Sequence, residues 1–361
     1  MLDPRINEHA RLLTDYCTNI RSGDNVLIHL GGAKYGGDEG LELAAEIYKR
    51  VAKIGANPII VVFPSEAIRG FLQYAPEESL DRNPRGYYEL MRMSEVVIGI
   101  GAESNTRFLE DVDPKRVSRY AKAFAPVIRE QLKKRWIGTI HPTNAFAQDA
   151  EMCLDDFKNL VYSAMFRDWQ TESARMVKLK RTMEASDRVR IIGDDTDLTF
   201  SISGRTALID DGRQNNFPGG EVYTAPQEGS IFGKICFDLP ALIYGREITG
   251  IQLTFRNGVV SDYSATKNSV FLGNLLHIDE GAGRLGEFGI GTNNGISHPT
   301  GSMLLNEKMT GTIHLGLGNA YEACGGLNRS AIHWDIVKTM NPGKVTMDER
   351  AILEDGRLLL E

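Results

Sequence analysis

The sequence predicts an α/β N-terminal domain, doubly wound on a mainly parallel sheet, followed by an α+β metal-binding catalytic domain. Continuous β-branched runs at 59–63 and 96–101 alternate with segments of helical periodicity, which is typical of parallel strands covered by helices on both faces. The chain has 361 residues, whereas single hydrophobic cores stop growing near about 250–300 residues. We therefore expect two domains, residues 1–185 and 186–361.

The elements of the first domain follow one another in a regular order. An amphipathic helix opens the chain, because apolar residues recur three or four positions apart at Ile6, Ala10, Leu13, Cys17 and Ile20. Strands are predicted at 25–30, 59–63, 96–101 and 136–140, and helices at 38–54 and 115–134. The glycine-rich loop at 31–37 lies where phosphate-binding loops occur, but it matches neither GxGxxG nor GxxxxGK[ST], so a tight turn is favoured over nucleotide binding.

A charged helical segment at 170–188 connects the two domains and leads into a strand candidate at 189–192. Beyond it the chain becomes rich in glycine, with 13 glycines in residues 1–200 and 24 in residues 201–361. Glycine is used where the backbone turns sharply or another group approaches closely. The second domain is therefore expected to carry the loops that shape a functional site.

Composition excludes several classes of protein. The 48 acidic residues exceed the 41 Lys and Arg, which gives a formal charge of −7, and no basic block is present, so we expect no nucleic-acid partner. No apolar run reaches about 18 residues and the N-terminus has no apolar core, so we expect no membrane span and no signal peptide. Four widely separated cysteines without a CxxC pair are typical of a reducing compartment, and a cytoplasmic location follows as the expectation.

Metal-ligand chemistry is indicated first by the segment Ile332–Val337. If this segment is a strand, His333 and Asp335 project from the same face, as residues two apart do. A histidine and a carboxylate on one buried face suit a divalent metal ion. A histidine–aspartate hydrogen bond within a polar cluster is the alternative interpretation. The patterns HExxH and GxSxG are absent, which argues against thermolysin-type and serine hydrolases.

Three further candidates lie in apolar or glycine-rich surroundings: His314, Glu221 and Glu287. Each has an ordinary interpretation taken alone, since a lone buried imidazole is usually a hydrogen-bonded core histidine and a glutamate near a turn is usually on the surface. Together with His333 and Asp335 they form a set of nitrogen and oxygen ligands suited to Zn²⁺, Co²⁺ or Mn²⁺. The set is large enough for two ions with one bridging carboxylate.

Four motifs then carry a resemblance to a known family. They are NNFPGGEVYTAP, GRLGEFGIGTN, NEKMTGTIHLGLGNAY and SAIHWDIV. Their order and spacing across residues 190–349 closely resemble the aminopeptidase T / aminopeptidase S family, which are metallopeptidases of the thermophilic-aminopeptidase type. The resemblance implies an enzyme that hydrolyses peptides from their N-termini, two divalent metal ions as cofactors and a homodimer with an enclosed site.

The resemblance also implies site residues. The metal ligands of the family fall on Glu221, Glu287, His314, His333 and Asp335, its active-site tyrosine falls on Tyr321, and a further glutamate falls on Glu307. Glu287 is expected to bridge the two ions, which activate a water for hydrolysis, while Tyr321 stabilises or protonates the tetrahedral intermediate. Glu307 departs from the family pattern in its context, because Asn306 stands where an aspartate usually precedes it.

Two other functions stay open at this stage. The 2,5-dihydroxypyridine dioxygenases resemble these peptidases but bind one Fe²⁺, and a two-histidine, one-carboxylate triad is the usual arrangement for their oxygen chemistry. A non-catalytic binding protein on the same fold is the second alternative. The first differs from the peptidase in metal content, and the second differs in having no hydrolytic activity with any metal.

Overall fold

The computed structural model describes residues 3–33, 35–213 and 215–359. The chain forms two compact units. The first comprises the residues up to Phe166 and the segment Gly212–Gly219. The second comprises Arg167–Asp211 and the residues from Gly220 onward.

The first unit is built on a five-stranded parallel sheet in the order β2-β1-β3-β4-β8. Its strands are β1 (Asn25–Leu30), β2 (Asn57–Val62), β3 (Val96–Gly101), β4 (Arg135–Ile140) and β8 (Asn216–Phe217). Its helices are α1 (Pro4–Arg11), α2 (Leu41–Ile54), α3 (Ser65–Tyr74), α4 (Glu77–Leu80), α5 (Arg85–Met93), α6 (Pro114–Gln131), α7 (Asn144–Asp149) and α8 (Leu154–Met165), and a π-helical turn, Leu12–Cys17, continues α1.

The burial of the strands follows their position in this sheet. The central strands β1 and β3 are buried along almost their whole length, as expected for parallel strands with both faces covered. The edge strand β2 alternates instead, and Ile59 and Val62 are 42% and 39% exposed. The apolar run at 59–63 was expected to be covered on both faces, but an edge strand has a neighbour on one side only.

The glycine-rich loop after β1 is a tight turn. The backbone N–H of Gly32 donates to the carbonyl of Tyr35, and that of Gly37 donates to Phe63. A Cβ atom on Gly37 would lie 2.2 Å from the carbonyl oxygen of Leu30, so the two ends of the loop approach too closely for any larger residue. The geometry agrees with the turn interpretation of the sequence.

Within the described residues, the second unit carries three sheets, and the larger two have orders β14-β13-β10-β6-β5-β18-β19-β20 and β17-β16-β15-β9-β7. Its strands are β5 (Arg188–Gly193), β6 (Thr196–Ser201), β7 (Leu208–Asp210), β9 (Glu221–Thr224), β10 (Phe232–Cys236), β11 (Ala241–Ile243), β12 (Arg246–Ile248), β13 (Gln252–Arg256), β14 (Val259–Ser264), β15 (Leu285–Gly291), β16 (Thr312–Gly318), β17 (His333–Thr339), β18 (Gly343–Met347), β19 (Arg350–Glu354) and β20 (Arg357–Leu358). Its helices are α9 (Trp169–Ala185), α10 (Ser269–Leu276), α11 (Met303–Asn306) and a 3₁₀ turn, Glu322–Cys324.

Helix α9 groups with the second unit, whereas the sequence prediction placed the division after it. The reason is its apolar stripe, since Met176, Leu179 and Met183 are buried in the same core as Val222 and Phe288. The charge of the opposite face made the segment look like a connector in the sequence. The packing of α9 makes it part of the core that lies against the sheet β17-β16-β15-β9-β7.

The helices of the described chain are short. The longest is α6, with 18 residues, and it contains Pro126 and several basic residues. Within the described residues, no helix combines the length with the apolar character that crossing a membrane requires.

Gly220 is the last residue before β9 and has no room for a side chain. Its φ is +127°, and a Cβ atom would lie 2.5 Å from the Cβ of Asn293. Gly220→Ala should therefore lower the free energy of unfolding by at least about 2 kcal/mol, through backbone strain and overpacking. Gly229→Ala is the matched control in the same unit, because nothing lies within 4 Å of its Cβ position.

Thermal and urea unfolding of the two variants measure this difference. We expect Gly229→Ala to stay within about 0.5 kcal/mol of the parent protein, as surface substitutions usually do. Equal stability of the two variants would contradict the close packing described at Gly220.

Candidate metal centre

The sheet β17-β16-β15-β9-β7 gathers the candidate ligands on one face. All its strand pairs are antiparallel, and residues directly opposite each other in such a pair project to the same side. Each candidate on the sheet lies opposite a glycine: Glu221 opposite Gly291, His314 opposite Gly289, Glu287 and Asp335 opposite Gly316, and His333 opposite Gly318. The prediction that His333 and Asp335 share one face of a strand is therefore confirmed.

The glycines make room for these side chains. A Cβ atom on Gly289 would lie 2.0 Å from Nε2 of His314. One on Gly316 would lie 2.7 Å from Oδ1 of Asp335 and 2.8 Å from Cβ of Glu287. Since real Cβ contacts are never this short, a larger residue at either position would displace the imidazole or the carboxylates. This close approach explains part of the glycine enrichment seen in the sequence.

Two three-residue groups share one carboxylate. The first is Glu221, Glu287 and His314, and the second is Glu287, His333 and Asp335; in each, the ligand atoms lie within 4.8 Å of one another. Oε1 of Glu287 is 3.3 Å from Nε2 of His314, and Oε2 of Glu287 is 3.2 Å from Nε2 of His333. One oxygen of Glu287 thus faces each group, which is the arrangement of a bridging carboxylate.

The side chains fit a divalent ion at each group. Nε2 of His333 also lies 3.2 Å from Oδ2 of Asp335, and Nε2 of His314 lies 3.2 Å from Oε2 of Glu221. An imidazole nitrogen that faces two carboxylate oxygens repels them unless a proton or a metal cation lies between the nitrogen and the oxygens. Nδ1 of His333 is 2.7 Å from the carbonyl oxygen of Asn319, to which it can donate, and this bond would leave Nε2 free as a ligand. Oδ1 of Asp335 is buried with no hydrogen-bond partner among the described residues, which a metal ion would supply.

Lys308 and Asp210 belong to the same cluster, and the sequence analysis did not identify them. The ammonium of Lys308 is fully buried and lies 2.7 Å from Oε1 of Glu221, 2.9 Å from Glu307 and 3.0 Å from Asp210. Asp210 ends a short apolar strand and pairs directly with Glu221 across β7 and β9. A lysine next to Glu307 in one of the four motifs was the available signal, but its contacts with Asp210 and Glu221 depend on strand pairing that the sequence does not show.

The cluster carries an excess of negative charge. Its carboxylates are Asp210, Glu221, Glu287, Glu307 and Asp335, and its ammonium is Lys308. Five carboxylates against one ammonium leave four negative charges when the histidines are neutral. Buried charge of this size is very unfavourable without compensation, and two divalent cations would balance it.

The protonation of the cluster reflects the same imbalance. Burial raises the pKa of Glu221 to about 8. Burial on its own would lower the pKa of His314, but Glu287 and Glu221 beside it raise that pKa to about 9. These protons and a divalent ion compete for the same ligand atoms, so metal binding is expected to release protons.

Glu307 is buried next to the two groups but belongs to neither. It ends helix α11, and its carboxylate accepts a hydrogen bond from Lys308 at 2.9 Å. Asn306, which departs from the family pattern, accepts a bond from the backbone N–H of Thr300 at 2.6 Å and donates one to the Thr300 carbonyl. A carboxylate could not donate the second bond, so the asparagine is suited to fixing this loop.

Tyr321 lies beside the second group, in the loop between β16 and β17. Its ring is 5.1 Å from that of His333 and 5.4 Å from that of Tyr223, measured between centroids. Desolvation of its hydroxyl and the charges of Glu287 and Asp335 hold the pKa of Tyr321 well above its usual value, although 43% of the residue is exposed, so the phenol keeps its proton. Tyr223 lies opposite Gly289 on the ligand-bearing face and was also missed by the sequence analysis.

The chain is similar to several aminopeptidases. It is 25% identical to aminopeptidase 2 of Geobacillus stearothermophilus, over 88% of this chain and 84% of that protein. It is 25% identical to aminopeptidase T of Thermus thermophilus, over 88% of each chain. It is 23% identical to aminopeptidase PepS of Streptococcus thermophilus, over 92% of this chain and 91% of that protein.

Solved structures show the same fold. The structure of wild-type AmpT from Thermus thermophilus superposes with a TM-score of 0.84 at 21% identity, covering 98% of this chain and 99% of that chain. A 2,5-dihydroxypyridine dioxygenase from Pseudomonas putida KT2440 superposes with a TM-score of 0.61 at 12% identity, covering 99% of this chain and 96% of that chain. The second similarity is therefore the weaker one in both shape and sequence.

The family itself is established over almost the whole chain. Residues 2–357 match the thermophilic metalloprotease (M29) family. The buried carboxylates and histidines described above are ligand types that such a metalloprotease requires. The chain belongs to the thermophilic metalloprotease (M29) family.

Proposed function

We propose that the chain is a metal-dependent aminopeptidase that hydrolyses N-terminal residues from peptides at a two-ion site. Glu221, Glu287 and His314 would hold one divalent ion, and Glu287, His333 and Asp335 the other. The observation that carries this proposal is Glu287, whose two carboxylate oxygens face two different histidines. The aminopeptidases among the relatives support the choice of substrate.

The residues of the chain would prepare the site for hydrolysis. When bound, two divalent ions act as Lewis acids and lower the pKa of a coordinated water to near neutrality. The chain keeps Glu221, Glu287 and His314 at least nine-tenths buried, so these three ligands are shielded from bulk water, whereas the side chains of His333 and Asp335 are partly exposed. The protonated phenol of Tyr321 is the group that can donate a hydrogen bond to the carbonyl oxygen as negative charge develops on it.

The identity of the ions and the assembly belong to the same proposal. Carboxylate and imidazole ligands accept Zn²⁺, Co²⁺ and Mn²⁺, and supply in the cell decides among them. The homodimer implied by the family resemblance and the cytoplasmic location expected from the cysteine pattern also stay predictions. Light scattering on the purified protein measures the first, and cell fractionation measures the second.

The alternatives receive less support from the geometry. A single-iron dioxygenase would use two histidines and one carboxylate at one ion. In the part of the chain that the structure describes, each candidate group has one histidine and two carboxylates. A non-catalytic protein would have no need of a buried, charge-unbalanced cluster, which is costly to maintain.

The test is hydrolysis by metal-stripped protein to which Zn²⁺, Co²⁺ or Mn²⁺ is returned. We expect release of p-nitroaniline from aminoacyl-p-nitroanilides only with metal, and no release from the same substrates with an acetylated amine. Folded, metal-loaded protein that releases no p-nitroaniline from the substrates with a free amine would contradict the proposal. Oxygen uptake with 2,5-dihydroxypyridine and Fe²⁺ would favour the dioxygenase instead.

The bridging role of Glu287 predicts a severe defect in Glu287→Gln. The amide keeps the size of the side chain but loses the charge, and an NH₂ group replaces one of the two oxygens, each of which faces one of the groups. We expect both kcat and metal content to fall. The loss in kcat should be at least about 100-fold, because losing a group that only orients a metal ligand already costs up to that much. Glu280→Gln, on an exposed loop of the same unit, is the control and should behave as the parent protein. Full activity in Glu287→Gln would exclude the bridging role.

Tyr321→Phe should separate catalysis from metal binding. The substitution keeps the ring contacts with His333 and Tyr223 and removes only the hydroxyl. We expect kcat to fall about 100–1,000-fold, as when one hydrogen-bond donor to a developing oxyanion is removed, while metal content is unchanged. Tyr74→Phe, at an 84% exposed tyrosine, is the control. An unchanged kcat in Tyr321→Phe would remove the phenol from the mechanism.

A further inference from the structure

We infer that Lys308 is a positioning residue that makes the two ion positions unequal. The inference rests on the two-ion site proposed above. Lys308 holds one oxygen of Glu221 and thereby aims the other at His314. The position formed by Glu287, His333 and Asp335 does not depend on Lys308 for the orientation of its ligands.

The geometry of Glu221 carries the first step. Its Oε1 accepts a hydrogen bond from the Lys308 ammonium at 2.7 Å, and its Oε2 lies 3.2 Å from Nε2 of His314. Contacts at opposite oxygens fix the plane of the carboxylate. Without Lys308, Glu221 could rotate, and both of its oxygens would be free to take other partners.

Lys308 is itself held firmly in place. Its backbone N–H donates to the carbonyl of Leu305 at 3.2 Å, and its carbonyl accepts from the backbone N–H of Asn293 at 2.8 Å. Its ammonium is fully buried and also contacts Asp210 and Glu307. A cation with three carboxylate partners in fixed directions has little freedom to move, which is what a positioning group requires.

The second ion position is oriented by different groups. Nδ1 of His333 contacts the carbonyl of Asn319 at 2.7 Å, and Nε2 of His333 then faces Glu287 and Asp335. Across the described residues, the ion pairs of Lys308 are those with Asp210, Glu221 and Glu307 alone. Loss of the Lys308 side chain therefore removes a direct contact from one position and none from the other.

Charge and positioning make opposite predictions for a variant without the ammonium. If Lys308 acted mainly as a positive charge, its removal would relieve repulsion and tighten metal binding near Glu221. If it acts mainly by orienting Glu221, its removal weakens binding there, by the 10–100-fold that is typical of outer-shell partners. The fixed direction of its three contacts favours the second effect.

The experiment is calorimetric titration of metal-free Lys308→Met with Zn²⁺, beside the parent protein. We expect two ions in the parent protein, and in the variant a loss of about 10–100-fold in affinity for one ion only. Asp335→Asn assigns the ions, because Asp335 belongs only to the other group and its loss should weaken the other ion.

A second variant guards against a folding defect. Lys308→Met leaves three buried carboxylates without their counter-charge, which destabilises folded proteins. The double variant Lys308→Met with Asp210→Asn removes one negative charge together with the positive one, and it should show the same selective loss with circular dichroism like that of the parent. Asp210→Asn alone keeps the contact between Lys308 and Glu221, so it is the reference for the double variant, and the selective loss is measured between these two proteins.

When the parent protein binds two ions, every other outcome decides against the inference. Equal weakening of both ions, unchanged affinities, or tighter binding in the double variant would each overturn the positioning role. A parent protein that binds only one ion contradicts the two-ion site itself. In that case an undiminished affinity for that ion in Lys308→Met would overturn the role of Lys308 as well, whereas a 10–100-fold loss would retain it.

Discussion

The second unit has to accommodate one constraint, a cluster of five carboxylates that contains a single buried ammonium in contact with three of them. Such a cluster is unfavourable unless every charge has a partner, and the partners are supplied by strand register. Lys308 neutralises the side of the cluster formed by Asp210, Glu221 and Glu307. The remaining side, around Glu287, has two histidines, and glycines on the neighbouring strands leave room for the side chains.

The antiparallel sheet provides this space in a simple way. Wherever a ligand projects from one strand, the neighbouring strand offers a glycine, as Gly289 does for His314 and Gly316 does for Glu287 and Asp335. The loop between β16 and β17 then adds two groups at once, the Asn319 carbonyl that orients His333 and the phenol of Tyr321. The sheet that supports the site is therefore also the structure that carries its ligands. All residues of the two ligand groups belong to the second unit.

Local patterns predicted much of this arrangement, and long-range pairing accounts for the rest. The two-residue spacing of His333 and Asp335 is readable from the sequence because side chains alternate along a strand. The alternating runs of the first half likewise indicated the parallel sheet, which the order β2-β1-β3-β4-β8 bears out. Lys308 and Asp210 were missed because their partners lie up to 98 positions away in the chain, on strands whose register is set by packing. The unit to which α9 belongs depends on packing in the same way, since its apolar stripe is readable from the sequence but the core that buries it is not.

We propose that Glu287 bridges two metal ions, and diffraction from crystals of the Zn²⁺-loaded protein at the zinc absorption edge would locate them. We expect two anomalous peaks about 3.5–4 Å apart, one on each side of the Glu287 carboxylate. A single peak, or two peaks that do not share Glu287, would contradict it.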